Sequence, residues 1–144
     1  IDVIHSSWAT DYDTLETHHG YIQWLFPIHE EGMNISAQVL QQHEAETMRS
    51  SSEILARIMK SYKLILGFFG VELADETTGH LQRASNFEDR YDNLNRRSHN
   101  YLRVTRILKF LGEMGLEKFK LPFLRHFIHE VCHHGLIPRC RSSL

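Results

Sequence analysis

Apolar residues recur along this chain three and four positions apart, and no stretch alternates polar with apolar long enough to read as a strand. That period predicts an all-α fold, a single compact globular domain of about five to seven helices over residues 1–144. Asp13 and Glu16 have the spacing of an N-terminal capping pair, and Leu15, His19, Ile22 and Phe26 then share one face until Pro27 stops the helix. Residues 28–40 read as loop, with Gly32 and Asn34 suited to turns, and a short helix follows over residues 41–49. The strongest helix opens at Ser50, has Glu53 three residues on, and carries Ile54, Leu55, Ile58, Met59, Tyr62, Ile65, Leu66 and Phe69 before Gly70. Leu64 and Phe68 give it a second apolar stripe, which predicts a central position. Residues 71–85 read as a polar connection. Phe87, Tyr91 and Leu94 mark a short helix, and Ser98 can cap a longer one carrying Tyr101, Val104, Ile107, Leu108 and Leu111 up to Gly115. The last helix is expected to start near Pro122, which suits a first turn, and to run through Phe123, Phe127, Ile128 and Val131 to Gly135.

Composition agrees with a folded domain: 42% of residues are hydrophobic and 24% charged, with enough aromatics, 8 Phe, 5 Tyr and 2 Trp, to exclude a disordered tail. A net charge of -2 gives no overall basic field, so neither nucleic acid nor an acidic membrane surface is expected as a partner. The longest strongly apolar run, residues 64–71, is far short of the roughly 20 residues that cross a bilayer, so no membrane insertion is expected. Only two cysteines occur, Cys132 and Cys140, which favours reduced thiols and a soluble cytosolic or nuclear protein over a secreted disulfide scaffold. Ile1 stands where an initiator Met would, so the chain reads as a fragment of a longer protein.

Three blocks carry a more specific likeness. The segment Tyr21-Ile22-Gln23-Trp24-Leu25-Phe26-Pro27 with Glu31-Gly32-Met33-Asn34, the segment Leu66-Gly67-Phe68-Phe69-Gly70, and residues 93–109, beginning Asn93-Leu94-Asn95-Arg96-Arg97-Ser98-His99-Asn100, together resemble the opioid growth factor receptor family. The resemblance runs in order across nearly the whole chain. It implies a nuclear and perinuclear or cytoplasmic regulatory protein, unrelated in architecture to seven-helix opioid receptors. Its implied ligand is methionine-enkephalin, with restraint of cell proliferation as the outcome. The family includes receptor-like paralogues, from which the sequence does not separate this chain, and its members extend beyond both ends, Leu144 falling at the start of a further helix.

A flexible peptide with a free carboxylate, a tyrosine and a phenylalanine calls for a guanidinium and an aromatic or apolar wall. The basic run Arg96, Arg97, Arg103, Arg106 and Lys109 offers the first, and Tyr21 and Trp24 offer the second if their helix packs beside the one after Ser98. Candidate peptide-binding residues are therefore Tyr21, Trp24, Asn95, His99, Arg103 and Arg106. The plainer readings are a solvated basic face with Arg96 or Arg97 paired to Asp89 and Asp92, an aromatic core around Trp24, and a polar Asn93–Asn100 series that satisfies backbone between helices. A helical adaptor domain without direct peptide binding is the alternative function. His129-Glu130-Val131-Cys132-His133 matches the H-E-x-x-H pattern of zinc hydrolases, but no His or Glu follows His133 as a third ligand except His134 beside it. A zinc hydrolase is thus a distant alternative, adventitious metal on His126, His129, His133 and His134 a lesser one, and no catalytic residues, cofactor or resident metal are expected. His133 and His134 also suit the negative end of a helix. With Trp24 and Phe69 both read as core, truncating either to alanine is expected to cost about 3–5 kcal/mol in denaturant unfolding.

Overall fold

The computed structural model describes residues 1–32 and 35–133. Met33, Asn34, His134, Gly135, Cys140 and Leu144 lie outside the described residues, and with them the turn at Asn34, the helix stop at Gly135 and the readings placed on His134, Cys140 and Leu144.

The fold is mostly helical, with eight helices and one small hairpin among the described residues, so the expectation of five to seven helices and no strand needs correcting. α1 (Asp2–Ser7) was not foreseen, and the first predicted helix is two, α2 (Tyr12–Thr17) and α3 (Tyr21–Leu25). The cap of α2 is Asp11, whose carboxylate accepts from the Thr14 N–H at 3.1 Å, rather than Asp13 with Glu16. α4 (Gln42–Ser50) follows, with the Glu44 carboxylate reaching back to the Gln41 N–H at 3.1 Å.

α5 (Ser52–Phe69) is central, as its two stripes predict, and buries Tyr62, Leu64, Ile65, Leu66, Phe68 and Phe69. Its cap is Ser51, one residue later than read from sequence. Gly70 ends it at φ 82, where a side chain would also meet Phe87 and Arg90 at under 3 Å. Residues read as polar connection then form the antiparallel pair β1 (Val71–Leu73) and β2 (Leu81–Arg83), with Val71 opposite Arg83 and Leu73 opposite Leu81. Three residues per strand are too few to show an alternation.

α6 (Phe87–Arg96), α7 (Asn100–Glu113) and α8 (Glu117–His133) complete the described chain. α7 is capped at His99 rather than Ser98, without a side-chain hydrogen bond. α8 begins five residues before Pro122, which therefore sits inside the helix instead of in its first turn. A proline there has no N–H for the Lys118 carbonyl. Gly79, at the hairpin turn, packs on that carbonyl so closely that a Cβ would stand 2.1 Å from it. The missing hydrogen bond and the missing side chain meet at one point and bring the hairpin against α8.

Aromatic contacts join the layers. Tyr62 of α5 meets Phe119 and Phe123 of α8 at ring-centroid distances of 5.8 and 6.1 Å, Phe69 meets Phe127 at 5.7 Å, and Phe26 meets Phe110 of α7 at 5.4 Å. Among the described residues no helix is long and apolar enough to cross a membrane. Trp24 is 50% exposed, which corrects its assignment to the core, because α3 turns Tyr21, Ile22 and Leu25 inward and leaves Trp24 on the outer face. Phe69→Ala should therefore cost about 3–5 kcal/mol and Trp24→Ala less than about 1 kcal/mol, both read from urea unfolding.

Candidate functional site

The two shortest helices that frame the site are held by arginines from α7. α2 has six residues and α3 five, too few to be stable alone, and their last carbonyls lack intrahelical partners. Arg103, only 4% exposed, supplies donors to the end of α2: its Nη1 binds the Leu15 carbonyl at 2.7 Å and its Nη2 the Glu16 carbonyl at 3.3 Å. It also donates to the Tyr21 hydroxyl at 3.3 Å and lies over the Tyr21 ring. The Tyr21 hydroxyl in turn donates to Leu15 at 2.9 Å, and burial pushes its pKa up to about 12, so it stays protonated. One turn on, Arg106 donates from Nε to the Phe26 carbonyl at the end of α3, at 2.9 Å.

Beneath Arg103 lies a buried carboxylate, Glu16. It accepts from Asn93 at 2.8 Å, from His99 Nε2 at 2.7 Å and from Asn100 at 3.1 Å, and stands 3.8 Å from the Arg103 guanidinium. A carboxylate only accepts, so Nε2 of His99 carries the proton in this contact. Burial alone would raise the Glu16 pKa. The three side-chain hydrogen bonds from Asn93, His99 and Asn100, with the charge of His99, outweigh it and hold the carboxyl below its ordinary range.

Above this network α3 and α7 enclose a pocket of about 730 Å³, lined by His19, Ile22, Gln23, His99, Leu102 and Arg106, with Gly20, Gly32 and the edge of Arg103. The His19 and His99 rings meet edge to face at 5.1 Å. Arg106 is half-buried, and its two η nitrogens have no hydrogen-bond partner among the described residues. Burial pulls its pKa below the usual arginine range against the opposing pull of Glu113 and Glu30, yet a guanidinium remains charged at neutral pH. The pocket thus combines apolar walls, two imidazoles and one uncommitted cationic edge.

The adjacency required of the helix carrying Tyr21 and the helix after Ser98 exists, but the candidate residues divide. His99 and Arg106 line the pocket. Arg103 is at its edge and occupied by backbone, Tyr21 is buried beneath Arg103, Trp24 is on the outer face, and Asn95 is half-buried on α6. The basic run also divides: Arg96 pairs with Asp92 at 2.9 Å and Lys109 with Glu30 at 2.9 Å. His19, Ile22, Gln23 and Leu102 were not among the candidate site residues read from the sequence. Glu130, the would-be base of the H-E-x-x-H segment, is 3% exposed and accepts both Nε and Nη2 of Arg83 at 3.1 and 2.9 Å. No group of three or more His, Cys, Asp or Glu is placed to hold a metal ion among the described residues.

Comparison with known proteins gives this arrangement a family. The conserved region of the opioid growth factor receptor matches as a family model over residues 1–144. The chain belongs to the opioid growth factor receptor family. The human opioid growth factor receptor is 48% identical over 143 residues, covering 99% of this chain and 21% of its own length. Opioid growth factor receptor-like protein 1 of mouse is 43% identical and that of Xenopus tropicalis 44%, each over 99% of this chain and 31% and 28% of their own lengths. The chain thus spans between about a fifth and a third of these relatives. No solved structure matches it. In this family member the Asn93–Lys109 block supplies Asn93, His99, Asn100, Arg103 and Arg106 to α2, α3 and the pocket.

Arg103→Ala should destabilise the domain by about 3–5 kcal/mol, since it leaves the buried Glu16 carboxylate without the guanidinium beside it and the Glu16 carbonyl without its donor. Glu16 has a folded pKa below its ordinary 4.5, so its contribution is full above that value and is lost as pH falls through the folded value. Unfolding midpoints measured between about pH 6 and pH 3 should show that loss, and Glu16→Gln should flatten it.

Proposed function

We propose that this chain is a non-catalytic, peptide-binding regulatory domain that takes methionine-enkephalin in the α3–α7 pocket, and that it acts in the nucleus and perinuclear cytoplasm to restrain cell proliferation. The reading is supported by relatives named as opioid growth factor receptors and by the chemistry of Arg106. A half-buried guanidinium with two unoccupied η nitrogens can take a peptide carboxylate through parallel hydrogen bonds, strengthened by its partial removal from water. Ile22 and Leu102 offer apolar surface to an aromatic side chain, and the volume is within the range of pockets that enclose small ligands. Arg103 has no such freedom, and its contribution is to hold the pocket wall. The arginine for the carboxylate is therefore Arg106.

One feature favours the adaptor reading instead. Trp24 and Leu102, 50% and 61% exposed on the two helices that frame the pocket, are the kind of apolar anchors that a protein partner covers. Calorimetric titration of the folded chain with methionine-enkephalin, its scrambled sequence and its C-terminal amide separates the two. The free peptide should bind saturably and the scrambled one should not. Arg106→Ala and the amide should each weaken binding by about 1.5–3 kcal/mol, with little further loss when combined. Absence of saturable binding by free peptide at millimolar concentration would reject the peptide reading for this chain and leave the adaptor reading.

A further inference from the structure

A second concave surface shares no lining residue with the α3–α7 pocket. It is a cleft of about 820 Å³ between the hairpin and α8. His80 and Arg83 line it from the hairpin, and Arg125, His126 and His129 line it from α8. The carboxylate among the lining residues is Glu130, and it is already engaged by Arg83 through two parallel hydrogen bonds. With that pair neutral, Arg125 leaves the cleft an uncompensated positive charge, and the His80 imidazole adds an N–H donor in either protonation state, while His126 Nε2 is engaged by the Tyr91 hydroxyl at 3.2 Å.

The Arg83 guanidinium is built in place. Glu130 fixes its Nε and Nη2 edge, its guanidinium carbon stands 4.6 Å from the Phe87 ring centroid, and the carboxylate bonds it makes leave Nη1 out. Arg125 and the His80 side chain make no hydrogen bond or ion pair among the described residues. Fixed and uncommitted donors therefore stand on opposite walls. Pro122 gives the same cleft an apolar part, and its volume is that of a site for an organic molecule rather than for a bare ion.

We propose that this cleft binds a phosphate monoester, its phosphate taken by Arg125, Arg83 Nη1 and His80 and its organic body lying against Pro122. A dianionic phosphate has three acceptor oxygens, enough for donors from both walls. The Gly79–Lys118 contact holds the two walls at a set spacing. The H-E-x-x-H segment thereby has a role that needs no metal: Glu130 orients an arginine, and His129 is a wall of the cleft.

The test is titration of the isotope-labelled chain with phenyl phosphate, followed by backbone amide shifts. Saturable shifts should centre on residues 80–83 and 122–130, and Arg125→Ala should weaken binding about tenfold, the scale of one charge-assisted hydrogen bond. His80→Ala should weaken it less, and both substitutions touch exposed side chains whose loss leaves the fold intact. A phosphotyrosine peptide that binds more tightly than phenyl phosphate identifies the source as a modified protein, and equal binding identifies a small molecule. Absence of saturable shifts at millimolar phenyl phosphate, binding unchanged in both variants, or inorganic phosphate bound as tightly as the ester would overturn the proposal.

Discussion

A carboxylate buried under a guanidinium, Glu16 under Arg103, holds the N-terminal helices of this domain to α7. Neither α2 nor α3 has the length to stand alone, and the last carbonyls of each lack intrahelical partners. Arg103 resolves both difficulties by donating to the carbonyls that end α2 while neutralising Glu16, which is itself bonded by Asn93 and Asn100. A buried ion pair is not by itself a strong source of stability. Its importance here is that removing one member strands several polar groups at once, so the alternatives are unfavourable and the arrangement is specified.

Arginines recur in this role. Arg90 donates to the Phe68 carbonyl near the end of α5 at 2.8 Å, Arg49 to the Glu113 carbonyl at the end of α7 at 2.7 Å, and Arg106 to Phe26 at the end of α3. Each places a cation where helix carbonyls accumulate negative charge. The Phe68 ring lies 4.9 Å from the Arg90 guanidinium carbon and 5.6 Å from that of Arg103, which packs charge against the apolar core without leaving it unsupported. Arg90 likewise spends only Nε on its carbonyl, but its Nη1 pairs with Asp89 at 3.3 Å, whereas the η nitrogens of Arg106 have no hydrogen-bond partner among the described residues. The same residue that ends a helix thus has an edge to spare for a ligand, and this is how the fold and the proposed peptide pocket become one structure.

The α8 side of the body follows a different logic. There α8 lies on α5 through Phe119, Phe123 and Phe127, and a proline inside α8 frees a carbonyl that a glycine of the hairpin covers. Covering it fixes the distance between hairpin and helix, and hence the width of the cleft that Arg83, Arg125 and His80 line. Both concave surfaces are therefore by-products of how helix ends and breaks are satisfied.

Helical period, the central place of α5 and the family were legible in the sequence, because contacts three and four residues apart are written locally and three blocks that resemble the family stand in order. Boundaries were read to within a residue at Ser51 and His99, but the hairpin was too short to announce itself and Pro122 proved to be interior. Site residues fared differently. Glu16 has the spacing of a helix-capping acid, and only tertiary structure shows it buried against Asn100, 84 positions away. Arg103 and Arg106 are indistinguishable as letters three apart on one helix, yet one is consumed by backbone carbonyls and the other is not. Tyr21 and Trp24, also three apart, end inside and outside. The helical period is legible in the sequence, since it depends on neighbours along the chain; which face meets the body, and which charge finds a partner, depends on surfaces that exist only after distant helices have packed.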